Sequence, residues 1–167
     1  FLSDTSINID PSAKELAKIA HMTSQIVEMF GHKPVVAMLS YANFGSSKHP
    51  NAGKVSEAVA YLHRYYPELV VDGPLQSDFA LNRDMLQEKF PFSEIAKKNV
   101  NTLIFPNLES ANITYKLMKE LNKNQSVGPI LLGLKEPIHV LQLGASVEEI
   151  VNMASVAVID AQQKQKK

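Results

Sequence analysis

Residues 35–47 read V-V-A-M-L-S-Y-A-N-F-G-S-S. Val35, Val36, Ala37, Met38 and Leu39 make an unbroken apolar run that stops at Ser40, and a helical pattern begins near Pro50. An apolar run with no polar alternation suits an inner strand covered on both faces, so the stretch reads as strand, loop and helix of a parallel sheet. Ligand sites of such sheets lie just beyond the carboxyl ends of the strands, which is where residues 40–47 fall.

The same alternation extends in both directions. Upstream, residues 6–9 read as a short strand and Asp10-Pro11 as a helix start, with Asp10 as N-cap. Leu16, Ile19, Ala20, Val27 and Phe30 keep to one helical face until Gly31 ends it. Downstream, the helix opened by Pro50 should bury Val55, Ala58, Val59 and Leu62 and stop at Pro67. Residues 69–71 form the next strand, closing on an Asp72-Gly73 loop. One or two short helices follow over residues 76–90. Residues 101–105 give a further strand halted by Pro106, and residues 108–121 a helix with Ala111, Tyr115, Met118 and Leu121 on one side. Two short apolar runs, residues 129–132 and 138–141, precede a last helix capped by Ser146, which should bury Ile150, Val151, Ala154 and Val158. Strands alternating with helices predict an α/β fold: a mainly parallel sheet with helices on both faces. The expected organisation is an α/β domain over residues 1–145, a C-terminal helix over 146–162 and a polar tail over 163–167.

Composition excludes several classes of function. Of the 167 residues, 45% are apolar and 20% charged, values of a soluble globular domain. Lys plus Arg equals Asp plus Glu at 17 each, so there is no basic footprint for nucleic acid. No apolar run approaches the roughly 18 residues that cross a bilayer, and no signal peptide is recognisable. The lack of cysteine removes disulfides, thiolate nucleophiles and thiolate metal sites. The expected location is cytoplasmic, with neither nucleic acid nor membrane as partner. Phe1 and Leu2 begin inside an apolar segment, as in a piece cut from a longer chain.

Ser40, Asn43, Gly45, Ser46 and Ser47 bring hydroxyls, an amide and backbone N–H groups close to a helix start, a set suited to an anion such as phosphate. The same residues serve equally as the caps of a tight crossover loop. No phosphate-loop or dinucleotide fingerprint accompanies them. Asp72 is placed to orient a ligand or act as a base, or else to begin a turn with Gly73. Asn107 and Asn112 bracket the start of a helix, one to cap it and the other to face a cleft. The five histidines, His21, His32, His49, His63 and His139, show no metal-ligand spacing, and packing or surface roles suit all of them. Ser146 is either a ligand contact or an N-cap.

Five segments together resemble the carboxy-terminal half of the phosphate acetyltransferase and butyryltransferase family. They are A-M-L-S-Y-A-N-F-G-S-S, L-V-V-D-G-P-L-Q-S-D-F-A-L, N-T-L-I-F-P-N-L-E-S-A-N-I-T-Y-K, V-G-P-I-L-L-G-L-K-E-P-I-H-V-L and G-A-S-V-E-E-I-V-N-M. Within that family the wording is similar to the trailing module of large bacterial NADP-dependent malic enzymes. The resemblance implies a two-domain α/β architecture of which this chain is mostly one domain, its last helix docking on the other. Active members pass an acetyl group between coenzyme A and phosphate, which needs cationic or hydrogen-bonding groups around the charged centre. The family supplies part of this as Ser-Arg just before the Gly-x-Ser-Val-Glu segment, whereas here Gln142 and Leu143 occupy those positions, and Glu149 stands where the family has an acidic residue.

A hydrocarbon side chain cannot offer a fork to phosphate, and losing such a contact slows transfer by roughly a hundredfold or more. The resemblance therefore implies a degenerate transferase that is not itself catalytic. Its Ser40, Asn43, Ser46, Ser47, Asn112, Gln142 and Ser146 would contact acetyl-CoA as an effector, and the module would help build a homo-oligomer. The parent malic enzyme would use NADP and a divalent metal, Mg or Mn; this segment carries no fingerprint or carboxylate cluster for either. A working phosphate acetyltransferase and a purely structural oligomerisation module are the alternatives.

Overall fold

The computed structural model describes residues 1–122 and 126–165. Its elements run β1 (Leu2–Ser3), α1 (Ala13–Met29), β2 (Val36–Leu39), α2 (Pro50–Tyr65), β3 (Val71–Leu75), α3 (Ser77–Leu81), α4 (Arg83–Lys89), β4 (Thr102–Ile104), α5 (Leu108–Asn122) and α6 (Val147–Lys164). The four strands form one sheet in the order β1-β4-β2-β3, and every pairing is parallel. The chain divides into two compact units, Phe1–Ile113 and Thr114–Lys167. That division falls within α5, upstream of the 145/146 boundary expected from the sequence; α6 shares its unit with the segment before it, bonding it through Lys164 to the Leu134 carbonyl at 3.1 Å.

In the first unit the apolar run behaves as an inner strand should. All four residues of β2 are buried, and alternate side chains enter different cores. Val36 and Met38 pack with Leu16, Ile19 and Ala20 of α1 and with Val55, Ala58 and Leu62 of α2. Val35, Ala37 and Leu39 pack with Ala80 of α3, Leu86 of α4, Ala111 of α5 and Ile95 of the turn after α4. Helices thus cover both faces, as the unbroken hydrophobicity predicts.

Several local expectations are corrected. Residues 6–9 are not a strand: the edge strand is β1, and the following loop wraps the Asp4 carboxylate, which accepts from the N–H groups of Ser6, Ile7 and Asn8 at 2.9, 3.0 and 2.8 Å. The cap of α1 is Ser12 rather than Asp10. Ser12-Ala13-Lys14-Glu15 is a capping box, with Glu15 accepting the Ser12 N–H at 2.8 Å, while Asp10 pairs with Lys54.

The third strand starts later and runs further than residues 69–71, because Asp72, Gly73 and Pro74 lie inside β3. The register against β2 shifts between Ala37 and Leu39, so an extra residue is absorbed there as a bulge. A bulge tolerates both a glycine and a proline that lacks a ladder donor, and Leu75 consequently faces the opposite core from Val71.

In the second unit α6 has the expected Ser146 cap and a capping box with Glu149. Its buried residues are Met153 and Val156, whereas Ile150, Val151 and Val158 are exposed. The buried pair belongs to the stripe that carries Asp160 and Lys164, where Asp160 meets Lys164 at 3.1 Å and His139 at 3.4 Å. The apolar runs 129–132 and 138–141 form neither strands nor helices. On α5, Met118 and Leu121 are exposed, against the expected apolar side. No helix among the described residues is long and apolar enough to cross a membrane.

Candidate functional site

The loop after β2 is fastened to the end of β3 by its own polar residues. Ser40 donates its N–H to the Leu75 carbonyl at 3.0 Å and Phe44 donates to the Pro74 carbonyl at 2.9 Å. The Asn43 side chain accepts the Gln76 N–H at 2.7 Å and donates to Gln76 Oε1 at 2.8 Å. Gln76 Nε2 in turn donates to the Tyr41 carbonyl at 2.7 Å. Phe44 and Gly45 take left-handed backbone angles, with φ of 36° and 82°, and the turn closes as Ser46 donates its N–H to the Asn43 carbonyl at 2.8 Å.

The hydroxyls have defined duties. Ser40 Oγ accepts from the Ala42 N–H at 3.3 Å, Ser46 Oγ from the Asn43 N–H at 3.0 Å and Ser47 Oγ from the His49 N–H at 3.2 Å. Each acts as acceptor in that bond, which leaves its own proton to be placed elsewhere; Ser47 and Tyr41 share a contact of 2.9 Å between their oxygens. The start of α2 is less open to an anion than its sequence suggests. Pro50 lacks an N–H, and the Asn51 N–H is taken by His49 Nδ1 at 3.2 Å. Among the described hydrogen bonds, the N–H groups of Gly45, Ser47 and Lys48 have no acceptor. The donors available to a ligand are therefore on the loop itself, more than on the helix.

Asp72 lies inside β3 rather than at the head of a turn with Gly73. Buried within β3, it accepts the Gly73 N–H at 2.8 Å on one oxygen, and the Ser93 hydroxyl at 2.6 Å and the Glu94 N–H at 3.1 Å on the other. Both oxygens are bonded, one to the Gly73 N–H and the other to the Ser93 hydroxyl and the Glu94 N–H, and the second set holds the turn after α4 against the sheet. Asn107 caps α5, accepting the Ser110 N–H at 2.9 Å. Asn112 does not point away as a spare group: its amide donates to the Thr5 carbonyl at 3.0 Å. The predicted residues Ser40, Asn43, Ser46 and Ser47 thus come together in one loop, with Asn112 committed elsewhere in the same unit.

Gln142 and Ser146 belong to the second unit. The Gln142 carbonyl accepts the Ala145 N–H at 3.2 Å, and Leu143 projects from this turn fully exposed, at 105% of its reference area. Ser146 caps α6, and Glu149 accepts the Ser146 N–H at 2.8 Å and the Lys119 ammonium at 3.2 Å. The Ser146 bonds, then Lys119, hold the Glu149 carboxyl below its ordinary value, and Glu149 raises that of Lys119. The residues that sequence reasoning missed are Gln76, Ser93 and the aromatic group Phe44, Phe90 and Phe92. Their partners lie 33 and 21 residues away for Gln76 and Ser93, distances at which periodicity carries no signal. No group of three His, Cys, Asp or Glu residues that could hold a metal occurs among the described residues.

A parallel α/β sheet with a polar loop at its carboxyl edge is the class defined by these observations, and the chain belongs to the phosphate acetyl/butaryl transferase family, whose model matches residues 1–158. The relatives divide into two kinds. An NADP-dependent malic enzyme of Escherichia coli is 41% identical over 163 residues, 97% of this chain but 21% of that protein. A phosphate acetyltransferase of Clostridium acetobutylicum is 38% identical over 161 residues, 96% of this chain and 48% of that protein. Among solved structures, a phosphotransacetylase from Streptococcus pyogenes superposes with a TM-score of 0.87 at 40% identity, covering 98% of this chain and 49% of its own. The chain spans about a fifth of the malic enzymes it matches and about half of these transferases.

Proposed function

We propose that this chain is the C-terminal, phosphate-acetyltransferase-like module of a cytoplasmic NADP-dependent malic enzyme. In this reading the module binds acetyl-CoA as an effector, helps assemble the parent homo-oligomer and performs no transfer itself. Oxidative decarboxylation of malate to pyruvate, with NADP and Mg or Mn, belongs to the rest of the parent. The malic enzyme relatives, matched over nearly the whole of this chain, support the assignment.

The observation that carries the non-catalytic reading is Leu143, an exposed hydrocarbon side chain where the transferase pattern has a guanidinium. Acyl transfer to phosphate develops charge on the oxygens around the thioester carbon, and only a fixed cation or hydrogen-bond donor stabilises that charge. Leu143 supplies neither. Ser40, Ser46 and Ser47, with the N–H groups of the loop, remain able to hold the polar parts of a ligand, while Asn43, Asn112 and Ser146 position the backbone. The Gln142 side chain adds an exposed amide in the second unit.

The test is a calorimetric titration of the full-length protein with acetyl-CoA, paired with malate decarboxylation assays. Saturable heat and a changed decarboxylation rate are expected; coupling between two distinct sites is what would make the effect allosteric. Absence of both would leave a structural module only. The similarity to phosphate acetyltransferases favours a second reading, an active transferase that takes its cation from elsewhere in the parent. Formation of acetyl-CoA from acetyl phosphate and coenzyme A, falling when Ser46 is replaced, would establish it.

A further inference from the structure

Two costly features converge on one spot beside the polar loop. Phe44 is the one non-glycine residue recorded with positive φ among the described residues, at 36°, a conformation that L-residues avoid and that marks functional turns. Asp72 is a buried carboxylate whose bonds to Ser93 and Glu94 fix the turn 91–96, and the burial of such a group is costly except where bonds of this kind satisfy it. Both place aromatic rings. Phe44 meets Phe90 and Phe92 at centroid distances of 4.9 and 5.0 Å, and Phe90 meets Phe92 at 6.0 Å and 81°.

Phe92 is held from two sides yet remains 69% exposed. A fold that needed only burial would not anchor a ring and leave it in water. Next to Phe44 in the chain lie the unused N–H groups of Gly45, Ser47 and Lys48, the exposed Ser46 hydroxyl and the Lys48 ammonium. A rigid exposed ring beside clustered donors and a cation is the chemistry that recognises a nucleotide: the ring stacks on the base, and the donors take the phosphates.

We propose that Phe92 is a stacking platform for the adenine ring of an acyl-coenzyme A whose phosphates lie against residues 45–48. The proposal rests on the acetyl-CoA reading above and adds the part of the ligand that is recognised here.

The experiment compares acetyl-CoA with S-acetyl-4′-phosphopantetheine, which lacks the adenosine portion, by titration into the full-length protein. Phe92→Ala should weaken acetyl-CoA by about 5- to 150-fold, the range that one base–aromatic stack provides. It should leave S-acetyl-4′-phosphopantetheine unchanged, and Phe92→Trp should keep acetyl-CoA affinity. An unaltered thermal midpoint in Phe92→Ala, expected of an exposed side chain, ties the loss to the ligand. Equal acetyl-CoA affinity in Phe92→Ala and the unaltered protein overturns the platform while leaving the effector reading intact. Loss of both ligands by the same factor also overturns it, since the ring would then act on the loop rather than on the base. No acetyl-CoA binding by the unaltered protein removes both this proposal and the reading beneath it.

Discussion

The Asn43 side chain clasps Gln76 twice: it accepts the Gln76 backbone N–H at 2.7 Å and donates to Gln76 Oε1 at 2.8 Å. The pair joins the loop after β2 to the end of β3, so it fixes the shape of the candidate site without occupying it. Asn43→Ala strands a partly buried N–H and a carbonyl oxygen, at a cost of about 1–3 kcal/mol. Asn43→Asp keeps the acceptor and loses the donor, so it should cost less. Urea denaturation of the two variants checks the order, and equal midpoints for Asn43→Ala and the unaltered protein would refute the clasp.

Gly73 sets a sharper steric limit. Its φ is 148°, and a Cβ built there would lie 2.5 Å from the Met38 carbonyl oxygen and 2.9 Å from Met38 Cβ. Both are parts of the central strand, which cannot move aside. Gly73→Ala should destabilise by about 3 kcal/mol or more. Gly53 in α2 is the control, because a Cβ there meets nothing within 4 Å. Gly53→Ala should stabilise by about 0.5–1 kcal/mol, through helix propensity and a less flexible unfolded chain. Thermal unfolding of the pair should therefore move in opposite directions.

Asp72 was readable from sequence as a polar group near a strand end, but its use was not. The turn chemistry of Asp72-Gly73-Pro74 argues for a loop, and only the bulge against β2 keeps those residues in the sheet. By contrast, β2 and the face of α2 were legible because continuous hydrophobicity and helical spacing are local properties. The cap of α1 reads wrongly as Asp10 in the sequence, because Asp10-Pro11 offers a start that competes with the box in Ser12-Ala13-Lys14-Glu15. For the site, the loop residues Ser40, Asn43, Ser46 and Ser47 were visible as a cluster. Their internal pairing was not, since Gln76 and Ser93 reach the site from distant positions through the sheet. The exposed flanks of α6 show the opposite failure: hydrophobicity on every side of a helix does not tell which side is covered.

The carboxylate of Asp72 should be intolerant of a small chemical change. Asp72→Asn preserves shape but must present an NH2 group either to the Gly73 N–H or to the donors Ser93 and Glu94, which now bond its two oxygens. One donor facing another in a buried place costs about 1–3 kcal/mol. Hydrogen exchange should accelerate at Glu94 and Gly73 first, while amides of α1 remain protected. Uniform loss of protection throughout the first unit would contradict a local role.

Acid should loosen the loop after β1. Burial alone would raise the Asp4 carboxyl, but bonds from the Ser6 backbone, from the Asn8 backbone and side chain, and from the Ile7 backbone together lower it below the ordinary aspartate value. A depressed carboxyl contributes stability above its unfolded pKa, about 3.9, and loses it as pH falls through the lower folded value. The unaltered protein should thus exceed Asp4→Asn in stability at pH 7, and the gap should close below about pH 4. Denaturation midpoints of both proteins across that range provide the measurement; a gap that stays constant with pH would exclude the charge as its source.

Leu143 gives the most direct test of the non-catalytic reading. Since its side chain is fully exposed, replacing it leaves packing untouched, and Gln142→Ser with Leu143→Arg should shift stability by no more than about 0.5 kcal/mol. The double variant restores a hydroxyl and a guanidinium to the turn before α6. If the missing cation is what silences transfer, acetyl-CoA formation from acetyl phosphate and coenzyme A should rise by on the order of a hundredfold over the unaltered full-length protein. Each single variant should gain less, because the arginine alone supplies charge without the neighbouring hydroxyl. Rapid turnover by the unaltered protein would show that a cation from elsewhere already completes the site, and the module would then be a working transferase rather than a sensor built on one.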